Sequence, residues 1–448
     1  MHFRTEKFAA TASEHHEIRQ NLGNCAELCL LSSGRNLRFE PPDRKKMMDS
    51  LDTLLAKGSS RPHNGMALTA LVLFGTRPEI IKLAPVIAEL RKRNCRTLVV
   101  SSSQHTDLLK PFLRSLNVEV DVDLGVMKRD QSPNDVLAGV VSGLDRILID
   151  EKPDIVIVQG DTTTTLAGAL AAFNRKIPVG HVEAGLRSGD ISSPFPEEAN
   201  RRLITQIAAF HFAATEQNRQ NLLDNGVPAQ QIFVTGNTIV DSLKSMLRTL
   251  DVSDPITELL AKTAGQRRIL LTTHRRESFG DAMSRNLQAL SRFVEQHSDV
   301  SLIFPVHPNP NVRAAAEAVL AGRERIHLLE PLPHSDFLAL IKASWLIVSD
   351  SGGVQEEAPT LGKPLLVLRE NTERPEGVSA GVSKLVGSDP LRLEQLLEEN
   401  YADPAWIDSV KKIPNPFGDG TASAKIAAAI EAHFSKKKEA VSAQIASL

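Results

Sequence analysis

The chain has 448 residues, with 52 Lys and Arg against 54 Asp and Glu and a formal net charge of -2. At roughly 100–200 residues per domain, that is room for two or three domains, each with its own core. Near-neutral charge and 4% aromatics, with the single tyrosine Tyr401, argue against a nucleic-acid partner or an anionic membrane surface. Three cysteines exclude a disulfide framework and point to a reducing, cytoplasmic setting. The chain has no apolar run long enough for a transmembrane helix.

Residues 1–65 are polar and weakly patterned, with His15-His16, Pro41-Pro42 and the basic run Arg44-Lys45-Lys46. They lack an apolar segment followed by small residues, so they do not read as a secretory signal. Cys25 and Cys29 lack further partners at zinc-finger spacing. The expectation is a disordered or non-native extension, since Met66 opens the first clean strand pattern.

From Met66 the chain alternates short β-branched runs with helical stretches. The expected strands are 69–74, 97–101, 154–159, 178–182, 210–214 and 231–235, then 268–273, 300–306, 325–329, 345–349 and 364–368. Helical patterns fall between them, as at 79–93 and 313–322. Near-continuous apolar runs suit strands covered on both faces, and repeated β-α units imply parallel sheets. The fold class is therefore α/β, with two Rossmann-like doubly wound domains facing a cleft. Their expected limits are 66–236 and 237–421, with the seam near Gly236–Leu260. Residues 422–448 are read as a helix packing back on the first domain.

Ligands of such sheets bind beyond the carboxyl ends of the strands, so the residues there carry the chemistry. After 69–74 come Gly75-Thr76-Arg77-Pro78-Glu79 and then Lys82. Gly75 permits a tight turn, Pro78 suits a first helical turn, and Arg77 and Lys82 put cations near a helix start. A loop salt bridge would use the same residues. No GxGxxG stands between a strand and a helix, so dinucleotide binding lacks its fingerprint. After 154–159 come Gly160, Asp161 and four threonines, where Asp161 is either a chemical group or a helix cap. After 178–182 come Glu183 and Arg187, then Pro196, Glu197 and Arg201; Glu197 and Arg201 have the i, i+4 spacing of an ion pair. Asp161, Glu183 and Glu197 can converge at one cleft edge. Crowded acids raise one another's pKa, which suits acid/base work, and Arg77, Arg187 and Arg201 could hold the others ionised.

In the second half, His274 ends a strand amid arginines and His307 lies in a Pro-Val-His-Pro turn; each suits an anion or a purely structural role. Asp350-Ser351-Gly352-Gly353 follows an apolar strand and opens a helix, so the Ser351–Gly353 N–H groups would cradle an anion. Glu357 could accept from ribose hydroxyls or simply favour the helix dipole, and Arg374 adds a cation. The chain holds no HExxH, paired CxxC or P-loop, and its one GxSxG, Gly377–Gly381, does not directly follow an expected strand, so no metal, serine hydrolase or P-loop kinase is expected.

The segments GTRPEIIKLAPVI, GDTTTT, HVEAGLRSGD, PFPEEANRR, TGNTIVD, THRRES, DSGGVQEEAP and NTERPEG together resemble the non-hydrolysing UDP-N-acetylglucosamine 2-epimerases, from about Met66 to Gly387. The resemblance implies a glycosyltransferase-B-like pair of domains, no metal or NAD cofactor, and commonly a homodimer. It implies inversion of carbon 2 of a UDP-sugar through elimination of UDP, a 2-acetamidoglucal intermediate and re-addition. By the same resemblance Asp161, Glu183, Glu197 and His274 are catalytic. Arg77, Lys82, Arg201, His307, Ser351, Gly352, Gly353, Glu357 and Arg374 bind substrate. Gln104 and His105 match a turn that binds a second UDP-sugar as activator in some bacterial members, whereas Gly139 stands where those members carry an arginine. A related 2-epimerase substrate, UDP-2,3-diacetamido-2,3-dideoxy-glucuronic acid, fits the same residues. A glycosyltransferase of the same fold, or a silent UDP-sugar binder, would not need three acids gathered against carbon 2.

Overall fold

The computed structural model describes residues 68–102, 112–114, 116–126, 128, 131–273, 281–387 and 389–446, without the side chains of 281–282 and 437–446. The expectations on residues 1–65, Cys25, Cys29, Gln104, His105 and His274 lie outside the described residues.

The front sheet holds seven strands: β1 (Thr69–Phe74), β2 (Arg96–Ser101), β3 (Val122–Asp123), β4 (Ile155–Gln159), β5 (Val179–Ala184), β6 (Phe210–Ala213) and β7 (Ile232–Val234). Their order is β3-β2-β1-β4-β5-β6-β7, parallel throughout. Its helices are α1 (Arg77–Lys92), α2 (Pro133–Glu151), α3 (Thr163–Asn174), α4 (Glu197–Ile207) and α5 (Glu216–Asp224). The rear sheet, also parallel, comprises β8 (Arg267–Thr272), β9 (Val300–Pro305), β10 (Ile326–Leu329), β11 (Leu346–Ser349), β12 (Leu365–Val367) and β13 (Ser383–Leu385). Its order is β10-β9-β8-β11-β12-β13. Around it run α6 (Thr238–Met246), α7 (Asp254–Lys262), α8 (Asp281–Gln296), α9 (Pro310–Leu320), α10 (His334–Ala343), α11 (Gly352–Thr360), α12 (Pro375–Ser379), α13 (Pro390–Ala402) and α14 (Ala405–Val410); α15 (Ala422–Ala446) closes the described chain.

Strand β1 shows why the apolar runs are continuous. Val72 and Phe74 face one core with Ile80 and Leu83 of α1, while Leu71 and Leu73 face another with Val140 and Leu144 of α2. Each such side chain, fully withdrawn from water, contributes about 1.5–3 kcal/mol. The first core also takes Ile426, Ile430 and Phe434 of α15, so the last helix packs on the front sheet's outer layer. Its start is fixed by Asp241 of α6, which accepts from the Ser423 N–H at 2.9 Å.

Both sheets reverse their winding at one place, between β1 and β4 in front and between β8 and β11 behind. Those switch points set the groups discussed next. Helix α6 packs its Ile239, Val240 and Leu243 into the rear core, where Ile81 of α1 joins them. The stretch expected as a seam is therefore a packed helix between the lobes. Two short strands, β3 and β13, were not expected from the pattern.

Candidate active site

Helix α1 starts with a reciprocal cap: Glu79 accepts from the Gly75 N–H at 3.1 Å and the Thr76 N–H at 2.6 Å. The same carboxylate accepts from Thr162 Oγ1 at 2.8 Å and Thr165 Oγ1 at 3.1 Å. Burial pushes Glu79's pKa up, against the lowering effect of these bonds. The threonine run thus ties the β1 and β4 loops together. Gly75 is needed for close approach rather than for the expected tight turn. A Cβ there would lie 2.5 Å from Thr164 Oγ1 and 2.8 Å from Ser102 Oγ.

Glu183 was expected just after a strand, but it lies inside β5. The pairing to β6 slips between Val182 and Ala184, and Glu183 takes φ +66, in the left-handed region. A bulge of this kind re-aims a side chain at a cost in backbone strain. The buried carboxylate accepts from Lys82 Nζ, from Gln159 Nε2 at 2.5 Å and from Asn237 Nδ2 at 3.0 Å. Burial alone would raise its pKa, but the Lys82 and Arg374 charges prevail and hold the carboxyl below its ordinary range, with the Asp161 charge working against them. Of the crowded acids Glu183 is therefore one held ionised, by Lys82 and Arg374 rather than by Arg77, Arg187 or Arg201. Lys82 also meets Glu356 Oε2 at 2.8 Å, and Arg374 Nε meets Glu356 Oε1 at 2.6 Å. Burial lowers the Lys82 pKa, yet Glu183 and Glu356 raise it overall, so the ammonium is held charged.

Asp161, more open than Glu183, accepts from Arg201 Nη1 at 2.6 Å. Arg201 in turn pairs with Glu198 Oε2 at 2.8 Å, so the expected Glu197–Arg201 pair is replaced by i, i+3 pairing from the next residue. Glu197 Oε2 is buried and unbonded among the described residues. Glu197 opens the helix whose Asn200 and Arg201 grip Asp161. Arg187 does not hold these acids by direct bonds. It donates to Thr205 Oγ1 at 2.9 Å and to Asn225 Oδ1 at 3.2 Å. Arg77 is exposed, without a side-chain hydrogen bond or ion pair among the described residues.

In the rear lobe, Ser351 takes the N-cap position of α11 without a side-chain capping bond, and its N–H donates to Ser349 Oγ at 2.9 Å, which leaves the Gly352 and Gly353 end of the expected cradle. A Cβ on Gly352 would lie 2.8 Å from Arg374 Nη1, so glycine lets the guanidinium sit against the helix start. Glu357 is buried, 3.3 Å from His334 Nε2. His307 is exposed and accepts from the Asn309 N–H at 3.2 Å. Among the described residues no cluster of His, Cys, Asp and Glu is arranged to hold a metal ion. An ionised buried carboxylate beside an ammonium, with a second acid just beyond the adjacent strand, can exchange a proton with a bound molecule.

The sequence model of the UDP-N-acetylglucosamine 2-epimerases matches residues 88–431. A UDP-N-acetylglucosamine 2-epimerase of Bacillus subtilis (strain 168) is 45% identical over 373 residues, covering 83% of this chain and 97% of that protein. This chain belongs to the UDP-N-acetylglucosamine 2-epimerase family. The Salmonella typhimurium (strain LT2) member is 43% identical over 372 residues, 82% of this chain and 99% of that protein. The crystal structure of the Neisseria meningitidis UDP-GlcNAc 2-epimerase bound to UDP-GlcNAc superposes with a TM-score of 0.76 at 42% identity, over 81% of this chain and 99% of that one.

For a 2-epimerase family member, the sequence reading missed Gln159, Asn237, Glu198 and Glu356. Each lies beside or within a quoted motif, but a partner across the fold, not spacing, gives it a role. A cavity of 1070 Å³ opens elsewhere, between Thr215, Val240, Lys244, Pro359 and Glu376, and none of the acids above lines it.

Proposed function

We propose that this chain interconverts UDP-N-acetylglucosamine and UDP-N-acetylmannosamine without metal or NAD. Ionised Glu183 takes the carbon-2 proton, the C–H pair forms the C1=C2 bond, and the C1–O pair leaves with UDP. UDP then adds back to carbon 1 of the glucal while a proton is delivered to the opposite face of carbon 2, with Asp161 and Glu197 as the other acid/base groups. Charge grows on the leaving diphosphate. Arg77, Lys82, Arg201, His274, His307, Arg374, the Ser351 hydroxyl and the Gly352–Gly353 N–H groups supply cations and hydrogen-bond donors for it, and Glu357 takes the ribose. Holding the glucal requires the lobes to stay closed during turnover.

One observation supports this reading most: a carboxylate at a strained bulge, buried yet ionised, sits where the switch points of both sheets meet. The cytoplasmic setting rests on the cysteine count. A homodimer is supported by the exposed apolar side chains of Ile191, Phe195 and Leu203, at 53%, 74% and 54% exposure, which a second copy would cover.

The test is a proton NMR time course with UDP-N-acetylglucosamine and, separately, UDP-2,3-diacetamido-2,3-dideoxy-glucuronic acid. The first should yield a manno species without added metal or nucleotide. Turnover of only the second would move the substrate, and turnover of neither would remove the assignment.

A further inference from the structure

Four charged side chains run in a line across the two lobes: Glu183, Lys82, Glu356 and Arg374. Lys82 bridges Glu183 of the front sheet and Glu356 of α11, and Glu356 bridges Lys82 and Arg374. All four are largely withdrawn from water, with side-chain exposures of 7%, 10%, 1% and 14%. Glu183 is the only one of the two acids placed to exchange a proton, because Glu356 is enclosed by its two cations.

Charge balance shows what Glu356 contributes. With it, Lys82 and Arg374 share a second acid between them. Without it, Lys82 would keep only Glu183 and Arg374 only the Glu373 carboxylate, 3.6 Å from its Nη1, so both cations would bear harder on Glu183, and an acid gripped by cations in a dry site is a poor proton acceptor. Arg374 poses a second problem. Its guanidinium rests against Gly352 at the positive end of α11, where a cation is disfavoured. The Glu356 carboxylate, one turn into the same helix, holds it there.

We propose that Glu356 is a positioning residue for epimerisation: by sharing Lys82 and Arg374 it leaves Glu183 basic enough to take the carbon-2 proton and keeps Arg374 at the helix end. This rests on the 2-epimerase reading above. Glu356 never touches the sugar in this account; it acts through Lys82.

The experiment is a double-mutant cycle in the full chain: wild type, Glu356→Gln, Lys82→Met and the double variant. For each, kcat and KM for UDP-N-acetylglucosamine are measured, together with the Kd of UDP by calorimetry. Glu356→Gln should lower kcat about 10^2-fold, the scale of a misplaced catalytic group, while KM and the UDP Kd rise by no more than about tenfold, the effect of a released Arg374. The double variant should turn over no more slowly than Lys82→Met alone, since residues acting through one contact are not additive. Losses that multiply, a wild-type kcat in Glu356→Gln, or a UDP affinity that falls in step with kcat would each overturn the proposal. If Glu356→Gln does not fold, Glu356→Asp, which keeps the charge on a shorter arm, replaces it: it should keep kcat within about tenfold of wild type, and a loss of about 10^2-fold with the charge still present would overturn the proposal. An inactive wild type would sink the 2-epimerase reading itself, whereas an active wild type with multiplying losses sinks only the role of Glu356.

Discussion

Asp161 just beyond β4 and Glu183 within the neighbouring β5 are close in the sheet, yet their surroundings differ. Asp161 is 27% exposed at its side chain and is held from one side by Arg201, which is itself anchored by Glu198. Glu183 is buried at a bulge, with three side-chain donors, Lys82 of its own lobe among them, and the Arg374 charge from the other lobe. The open acid can reorient with a ligand, whereas the buried one is pre-set. The cost of burying a charge is met at Glu183 by partners from both lobes, so its chemistry depends on lobe contact and that of Asp161 does not.

The largest effect should follow from Glu183→Gln. The loss in kcat should approach ~10^4-fold, the upper end for a general acid or base, against ~10^2-fold for Asp161→Asn. Steady-state kinetics on both variants checks this, and equal losses would erase the distinction between the two acids. Next in size is Glu198→Gln. Glu198 is fully buried between Arg201, Arg202 and the Ser188 N–H. Breaking a buried pair from one side costs about 3–5 kcal/mol, so chemical denaturation should show a lower midpoint.

The third prediction concerns pH. Burial holds His181 down to about 4 and His211 down to about 3, from an ordinary 6.5. Below pH 6.5 the unfolded chain therefore takes up protons that the folded chain refuses, and stability falls with pH toward those values. At about pH 5 each histidine removes roughly 2 kcal/mol, and His211→Phe should flatten the pH dependence of the melting temperature. An unchanged slope would contradict the buried neutral state. The smallest effect should come from Gly352→Ala. The added methyl displaces the Arg374 guanidinium, and KM should rise about tenfold, ~1.4 kcal/mol, with kcat nearly kept.

Much of this was legible in the residues themselves. Eleven of the thirteen strands stand out because apolar side chains cover both faces, as Leu71 to Phe74 show. β3 and β13 were not legible: two residues, Val122–Asp123, and three, Ser383–Leu385, carry no period. Strand-end acids were legible because a carboxylate closing an apolar run has few structural uses. Their ionisation was not, since Lys82 reaches Glu183 from another helix and Glu356 reaches Lys82 from the other lobe. The Glu197–Arg201 pairing that the spacing allows is not the one formed, for a related reason. Helical spacing offers both i, i+3 and i, i+4 partners, and the position of Asp161 selects Glu198 as the anchor of Arg201.

The most direct test is to incubate wild type and Glu183→Gln with UDP-N-acetylglucosamine in deuterium oxide and read carbon 2 by proton NMR. Wild type should exchange the carbon-2 proton for deuterium as the manno epimer appears, and Glu183→Gln should do neither at a comparable rate. A manno product that keeps its original carbon-2 proton, or undiminished exchange in Glu183→Gln, would contradict the account.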